Sequence, residues 1–167
     1  ESGTEVGGWS NDGIGWGALT FRRPDYCYGD PISGFSSGLP VYAMNVLPGI
    51  IEAENYDFFT TSGEGRTYHD LTTANSGGQY RTSEGVDVTT CSEGGHALTS
   101  LEASEWMTYT VAVPSAGLYD ISIRYAASQA GGKIKFSFGG VDKTTEVSVP
   151  FGGSNSTGVT DWKTFTV

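Results

Sequence analysis

The sequence predicts an all-β fold: a β-sandwich of antiparallel strands with an irregular N-terminal segment. The first observation behind this is composition. Of 167 residues, 25 are glycine, only 17% are charged, and long runs of Ala, Leu, Glu and Lys are absent, a balance that suits strands and turns better than helices. The second is periodicity, since several stretches alternate apolar and polar residues with period two and none keeps a helical period. The third is punctuation, with turn residues bounding those stretches at short intervals. A chain of this length makes one domain, or one domain with an attached segment, and can bury a core without needing metal or disulfides.

Residues 1–48 differ in texture from the rest. They are rich in Gly, Ser and Pro, with irregular aromatics at Trp9, Trp16, Phe21, Tyr26, Tyr28 and Phe35. So many aromatics argue against plain disorder. The segment reads as the tail of a preceding domain or as an extension packed on the sandwich. Residues 49–167 carry the regular strand signals. Ile50-Ile-Glu-Ala-Glu54 reads as a first strand; Gly77-Gly-Gln-Tyr-Arg81 and Val86-Asp-Val88 as short pieces; His96-Ala-Leu-Thr-Ser-Leu101 as the next. Along Glu105–Val113, Trp106, Thr108, Thr110 and Ala112 share one face and Met107, Tyr109, Val111 and Val113 the other. Pro114-Ser-Ala-Gly117 is a turn into Leu118–Tyr125. Lys133–Phe138 alternates, Gly139-Gly140 is a hairpin-type turn, Thr144–Val149 pairs back, and Trp162–Val167 is a last strand.

The formal net charge is −10. So acidic a surface repels phosphate backbones and anionic lipid, which argues against nucleic acid and membrane as partners. No stretch approaches the roughly 20 apolar residues of a spanning helix. Cys27 and Cys91 are far apart in sequence and are a disulfide candidate in an oxidising compartment; two unrelated thiols fit the spacing equally well.

The order of motifs from residue 50 onward resembles the family 6 carbohydrate-binding modules. Ile51-Glu-Ala-Glu-Asn-Tyr56 is similar to that family's opening strand. Gly77–Arg81 with Val86–Val88 is similar to its central loop, and Glu105-Trp-Met-Thr-Tyr-Thr-Val111 followed by Pro114–Tyr119 to its most recognisable block. Arg124–Ser128, Gly131-Gly132 and Trp162 complete the set. The resemblance implies a jelly-roll-like sandwich that binds polysaccharide, carries a structural calcium, and is attached to the catalytic domain of a secreted, bacterial glycoside hydrolase acting on plant or algal cell walls. Two departures stand out. The two aromatic platforms of the family's loop-end site fall here on Ser100 and on Val159-Thr160-Asp161. The family also continues past the position of Val167, so the sandwich reads as truncated at its C-terminus unless the N-terminal segment replaces the missing edge, which would otherwise be an association hazard.

On a strand, Glu52 and Glu54 point to one face, where two like charges are unfavourable without a cation between them. Calcium takes such hard oxygen ligands; a solvated pair is the alternative. In the family, the residue matching Trp106 lines a second site on the concave face of the sheet. An indole stacks on a pyranose while nearby hydroxyls orient it, so Trp106, Thr108 and Ser137 are ligand-binding candidates, against the alternative of a core Trp. Tyr80 and Arg81, in a glycine-rich loop, are further ligand-binding candidates, since Arg donors suit hydroxyl or sulfate oxygens; a structural ion pair is the plainer reading. His69 and His96 show no metal-ligand spacing and read as exposed or capping residues. Asn155-Ser-Thr157 fits a glycosylation acceptor.

No catalytic constellation assembles. There is no Gly-x-Ser-x-Gly, no His-Glu-x-x-His and no phosphate loop. Together with the resemblance, which implies carbohydrate binding, this makes non-catalytic carbohydrate binding the leading expectation. A structural sandwich without binding, and a small glycan-active enzyme with carboxylates facing across a cleft, are the alternatives.

Overall fold

The computed structural model of the chain describes residues 4–7, 14–22, 42–43, 45–59, 62–152 and 161–167. The strands in chain order are β1 (Thr4–Gly7), β2 (Ile14–Arg22), β3 (Asn45–Val46), β4 (Gly49–Glu52), β5 (Tyr68–His69), β6 (Val88–Thr90) and β7 (His96–Leu98). They continue with β8 (Trp106–Tyr109), β9 (Val111–Ala112), β10 (Asp120–Ala127), β11 (Lys133–Phe138), β12 (Val141–Asp142), β13 (Val147–Ser148) and β14 (Lys163–Thr166). Among the described residues the only helical element is a 3-10 turn at Ala53–Asn55, so none is long and apolar enough to cross a membrane.

Two six-stranded sheets make up the body. The first runs β12-β11-β1-β8-β5, with β13 also on β11; the second runs β14-β10-β2-β7-β6, with β4 also on β2. All pairings within them are antiparallel, while β3 and β9 form a separate parallel pair. The alternation expected of each strand decides what lies between the sheets. Met107 and Tyr109 of β8 and Ile134 and Phe136 of β11 join Ile51, Val88, Leu98, Ile123 and Tyr125 from the second sheet in one buried core. The buried tyrosines are satisfied, as buried hydroxyls must be: Tyr109 donates to the Ala53 carbonyl at 2.7 Å and Tyr56 to Glu84 at 2.7 Å.

β1 and β2 occupy interior positions. β1 lies between β8 and β11, with Val6 opposite both Met107 and Phe136. β2 pairs along its length with β10 on one side, and with β4 and β7 on the other. Removing either strand would leave unpaired backbone donors and acceptors on two neighbours at once.

β11 spans Lys133–Phe138 as its alternation predicts, and the Gly139-Gly140 turn follows with both residues at positive φ, 59° and 73°. A two-residue hairpin loop of this kind needs positive φ at both positions, which glycine adopts without cost.

Three expectations need correction. The first strand of residues 50–54 stops at Glu52, and the chain turns into the 3-10 element. Residues 77–81 form a bent loop rather than strand. Of Thr144–Val149 only Val147–Ser148 is strand, paired with the start of β11, because Lys143 and Thr144 spend their backbone N–H groups on the Phe136 carbonyl. Cys27, Asn155 and Thr160 lie outside the described residues.

Candidate functional site

The outward face of the first sheet carries Trp106, Thr108 and Ser137. β8 turns Met107 and Tyr109 inward, each 2% exposed, and leaves Trp106 and Thr108 half-buried on the solvent side. Across β1, Phe136 is buried, so alternation turns its neighbours Lys135 and Ser137 to the other side, where Lys135 is half-buried and Ser137 keeps 8% exposure. The register sets His69, Trp106, Gly7 and Lys135 level on four adjacent strands. Two residues along, Thr108 sits opposite Glu5, and the same register brings Ser137 to that row.

Hydrogen bonding divides these groups. The Thr108 hydroxyl donates to the Thr67 carbonyl at 3.1 Å, and that of Ser137 donates to Asp142 at 2.6 Å. Both keep acceptor lone pairs for a ligand. Thr110, on the same side by alternation, is buried beneath Asp57, which accepts its backbone N–H at 3.0 Å and its hydroxyl at 2.9 Å. Burial raises the Asp57 carboxyl above its usual range, while the Thr110 hydrogen bonds pull the other way.

Tyr80 and Arg81 belong to a second cluster, in the loop between β5 and β6. Both have left-handed backbones, φ 49° and 30°, unusual for non-glycine residues in succession. That geometry turns the Arg81 side chain inward to 5% exposure. Its Nε donates to Glu84 at 2.7 Å, its two terminal nitrogens to the carbonyls of Tyr56 and Asp57, and its guanidinium lies over the Tyr56 ring at 3.5 Å. Tyr80 stacks on His96 with centroids 4.8 Å apart, and its hydroxyl bonds Asn55 at 2.8 Å and the Tyr42 hydroxyl at 2.6 Å.

The pair Glu52 and Glu54 is not the strand pair expected. Glu52 ends β4 exposed, whereas Glu54, in the 3-10 turn, is 7% exposed. The Glu54 Oε2 atom is buried without a hydrogen-bond partner among the described residues. Burial pushes its carboxyl up, backbone N–H groups of Glu54 and His96 oppose this, and the Glu52 charge raises it further. An orphaned carboxylate oxygen beside a second carboxylate suits a hard cation. Among the described residues, however, no group of three or more His, Cys, Asp and Glu side chains gathers as a metal shell would, so backbone carbonyls would have to complete it. Cys91 is half-buried, with no disulfide partner among the described residues, and its sulfur accepts the Glu93 N–H at 3.4 Å. Ser100, where the family has an aromatic platform, is exposed and left-handed at φ 53°.

Two residues beside Trp106 escaped sequence reasoning. His69 is its cross-strand partner, with ring centroids 6.5 Å apart, and Glu64 holds His69 Nδ1 at 2.5 Å. A two-residue strand shows no alternation, so only the register reveals the pairing.

Compared with known families, residues 76–167, more than half of the chain, match the carbohydrate binding module (family 6). No curated protein and no solved structure matches the chain. Modules of that family bind carbohydrate without catalysis, often bind calcium, and are typically borne by secreted enzymes.

Proposed function

We propose that this chain, which belongs to carbohydrate binding module family 6, holds a secreted glycoside hydrolase on plant or algal cell-wall polysaccharide through the outward face of its first sheet. One observation supports this above others: the Trp106 indole stays half-exposed on a strand whose alternate side chains are buried. A ring in that position stacks on the apolar face of a pyranose. Thr108 and Ser137 accept hydrogen bonds from its hydroxyls, while the acidic surface keeps polyanions away.

Calcium forms the second part of the reading. Glu54, with its unpartnered oxygen, and Glu52 would hold it. When bound, it supplies positive charge that offsets the repulsion of the two carboxylates and stabilises the 3-10 turn. It takes no part in sugar recognition.

The test is binding to a panel of agarose, xylan, β-glucan and carrageenan by pull-down and tryptophan fluorescence. Saturable binding to one polymer is expected, and Trp106→Ala should weaken it by about 2 kcal/mol or more while the variant remains folded. Absence of binding to every polymer by the folded wild type would leave the structural sandwich as the better reading.

A further inference from the structure

The Trp106 face contains more than the three residues assigned to it above. His69 pairs with Trp106 across the sheet, its ring tilted by 39° to the indole. Glu64 fixes that ring. Its Oε1 holds His69 Nδ1, and its Oε2 accepts the Asp70 backbone N–H at 3.0 Å, so the carboxylate is itself anchored. The His69 side chain is 35% exposed. With Nδ1 engaged, Nε2 is the nitrogen left for a ligand. On the other flank of Trp106 stands Gly7, which brings no side chain, and beyond it Lys135. Lys135 Nζ bonds Asp142 at 3.1 Å, and Asp142 also takes the Ser137 hydroxyl, so the far end carries balanced charge.

We propose that the sugar-binding face is a row running across the strands, His69–Trp106–Gly7–Lys135, in which His69 contacts the ligand through its ring and Nε2. Glu64 is its positioning residue. This rests on the reading of Trp106 as a glycan platform. Adjacent strands are about 4.8 Å apart, so the row spans about 14 Å. That length fits a short neutral oligosaccharide lying perpendicular to β8 better than a single ring. Sugar hydroxyls both donate and accept, so they can pair with neutral His69 as well as with its cation. The cation makes the stronger, charge-assisted bond. The groups around His69 oppose one another only in part. Glu64 faces it directly. Asp70 follows it in the chain, with Oδ1 occupied by Thr72. The buried Glu105 carboxyl accepts the Leu71 N–H, and Lys135 lies three strands away on β11.

The experiment is calorimetric titration of the wild type with fragments of the polymer it binds, from disaccharide to hexasaccharide. Affinity is expected to climb with fragment length until the row is filled. His69→Ala should lose about tenfold for the longer fragments only. His69→Phe, which keeps a ring but lacks Nε2, should recover part of that loss. Glu64→Ala should weaken binding of the longer fragments, and Glu64→Gln, whose amide oxygen can still accept from Nδ1, should restore most of it. Equal affinity of wild type and His69→Ala for every fragment, with Trp106→Ala still inactive, would overturn the row and leave the Trp106 platform standing. Failure of the wild type to bind any fragment or polymer overturns the platform itself, and the row with it.

Discussion

The Arg81 loop and the Trp106 face both hold residues whose chemistry suits sugar, yet the fold uses them in opposite ways. Arg81 sends its donors inward, to Glu84 and to the carbonyls of Tyr56 and Asp57, and its guanidinium lies between aromatic rings. Trp106 sits on a regular strand, half-exposed, beside a histidine held from one nitrogen only. The lesson is that residue type nominates a binding group, but unspent hydrogen-bonding capacity and exposed ring area decide whether it can serve.

The sharpest way to break this comparison is Arg81→Ala. It leaves Glu84 in the interior with the Tyr56 hydroxyl but without its cation, and removes the anchors of the left-handed Arg81 backbone, so chemical denaturation should show a loss of about 3–5 kcal/mol. Glycan affinity of the fraction that still folds should not change. A stable variant with lost affinity would reverse the assignment of the two regions.

Proton linkage gives a smaller effect. Burial raises the carboxyls of Glu54, Asp57, Asp70 and Glu105. A folded-state pKa above the unfolded one means that protonation favours the fold. This contribution is complete below the unfolded carboxyl values near about 4 and fades as pH rises through the raised folded values. Unfolding free energy should therefore increase on acidification from neutral to about pH 5. Glu93, Asp142 and Glu146 are shifted down by Arg124, Ser137 and Lys133 respectively and act in the opposite sense, but they are solvent-exposed and screened. Glu54→Gln should flatten the rise. Calcium, by holding Glu54 charged, should raise the neutral-pH midpoint and also flatten the rise; a midpoint indifferent to calcium and to chelator would remove the cation from the Glu52–Glu54 pair.

The smallest effect should come from Glu146→Gln. Its bond to Lys133 at 2.9 Å is on the surface, and such pairs contribute little. The melting midpoint should stay within error, and a clear drop would show that exposed pairs matter more here than their screening implies.

Much of the sandwich was legible in the sequence because half-buried strands write their two faces into it. Lys133–Phe138 and the alternation around Trp106 are cases where one face meets the core and the other meets water. What was not legible depends on partners distant in sequence. Nothing local in Tyr68-His69 shows that His69 faces Trp106, and nothing in Glu52-Ala-Glu54 shows that the backbone coils there and buries the second carboxylate. The inward turn of Arg81 is similarly hidden, since Tyr80-Arg81 lacks the glycine or asparagine that usually marks left-handed backbone. Alternation put Trp106 on the face opposite the buried Met107 and Tyr109, while the family resemblance, not the alternation, nominated it as a binding residue.

The interior placement of β1 and β2 bears on how the chain assembles in time. Their partners β8, β10 and β11 lie about a hundred residues further along, between Trp106 and Phe138. Contacts of such long sequence separation form slowly. During synthesis β1 thus waits for neighbours until β8 and β11 are made, whereas β2 can meet β4 about thirty residues on and waits only for β10 and β7. Until then the growing chain presents open edges on both sheets, a state prone to association with other chains. Refolding of this module should accordingly be slow and sensitive to protein concentration, even when the finished sandwich is stable.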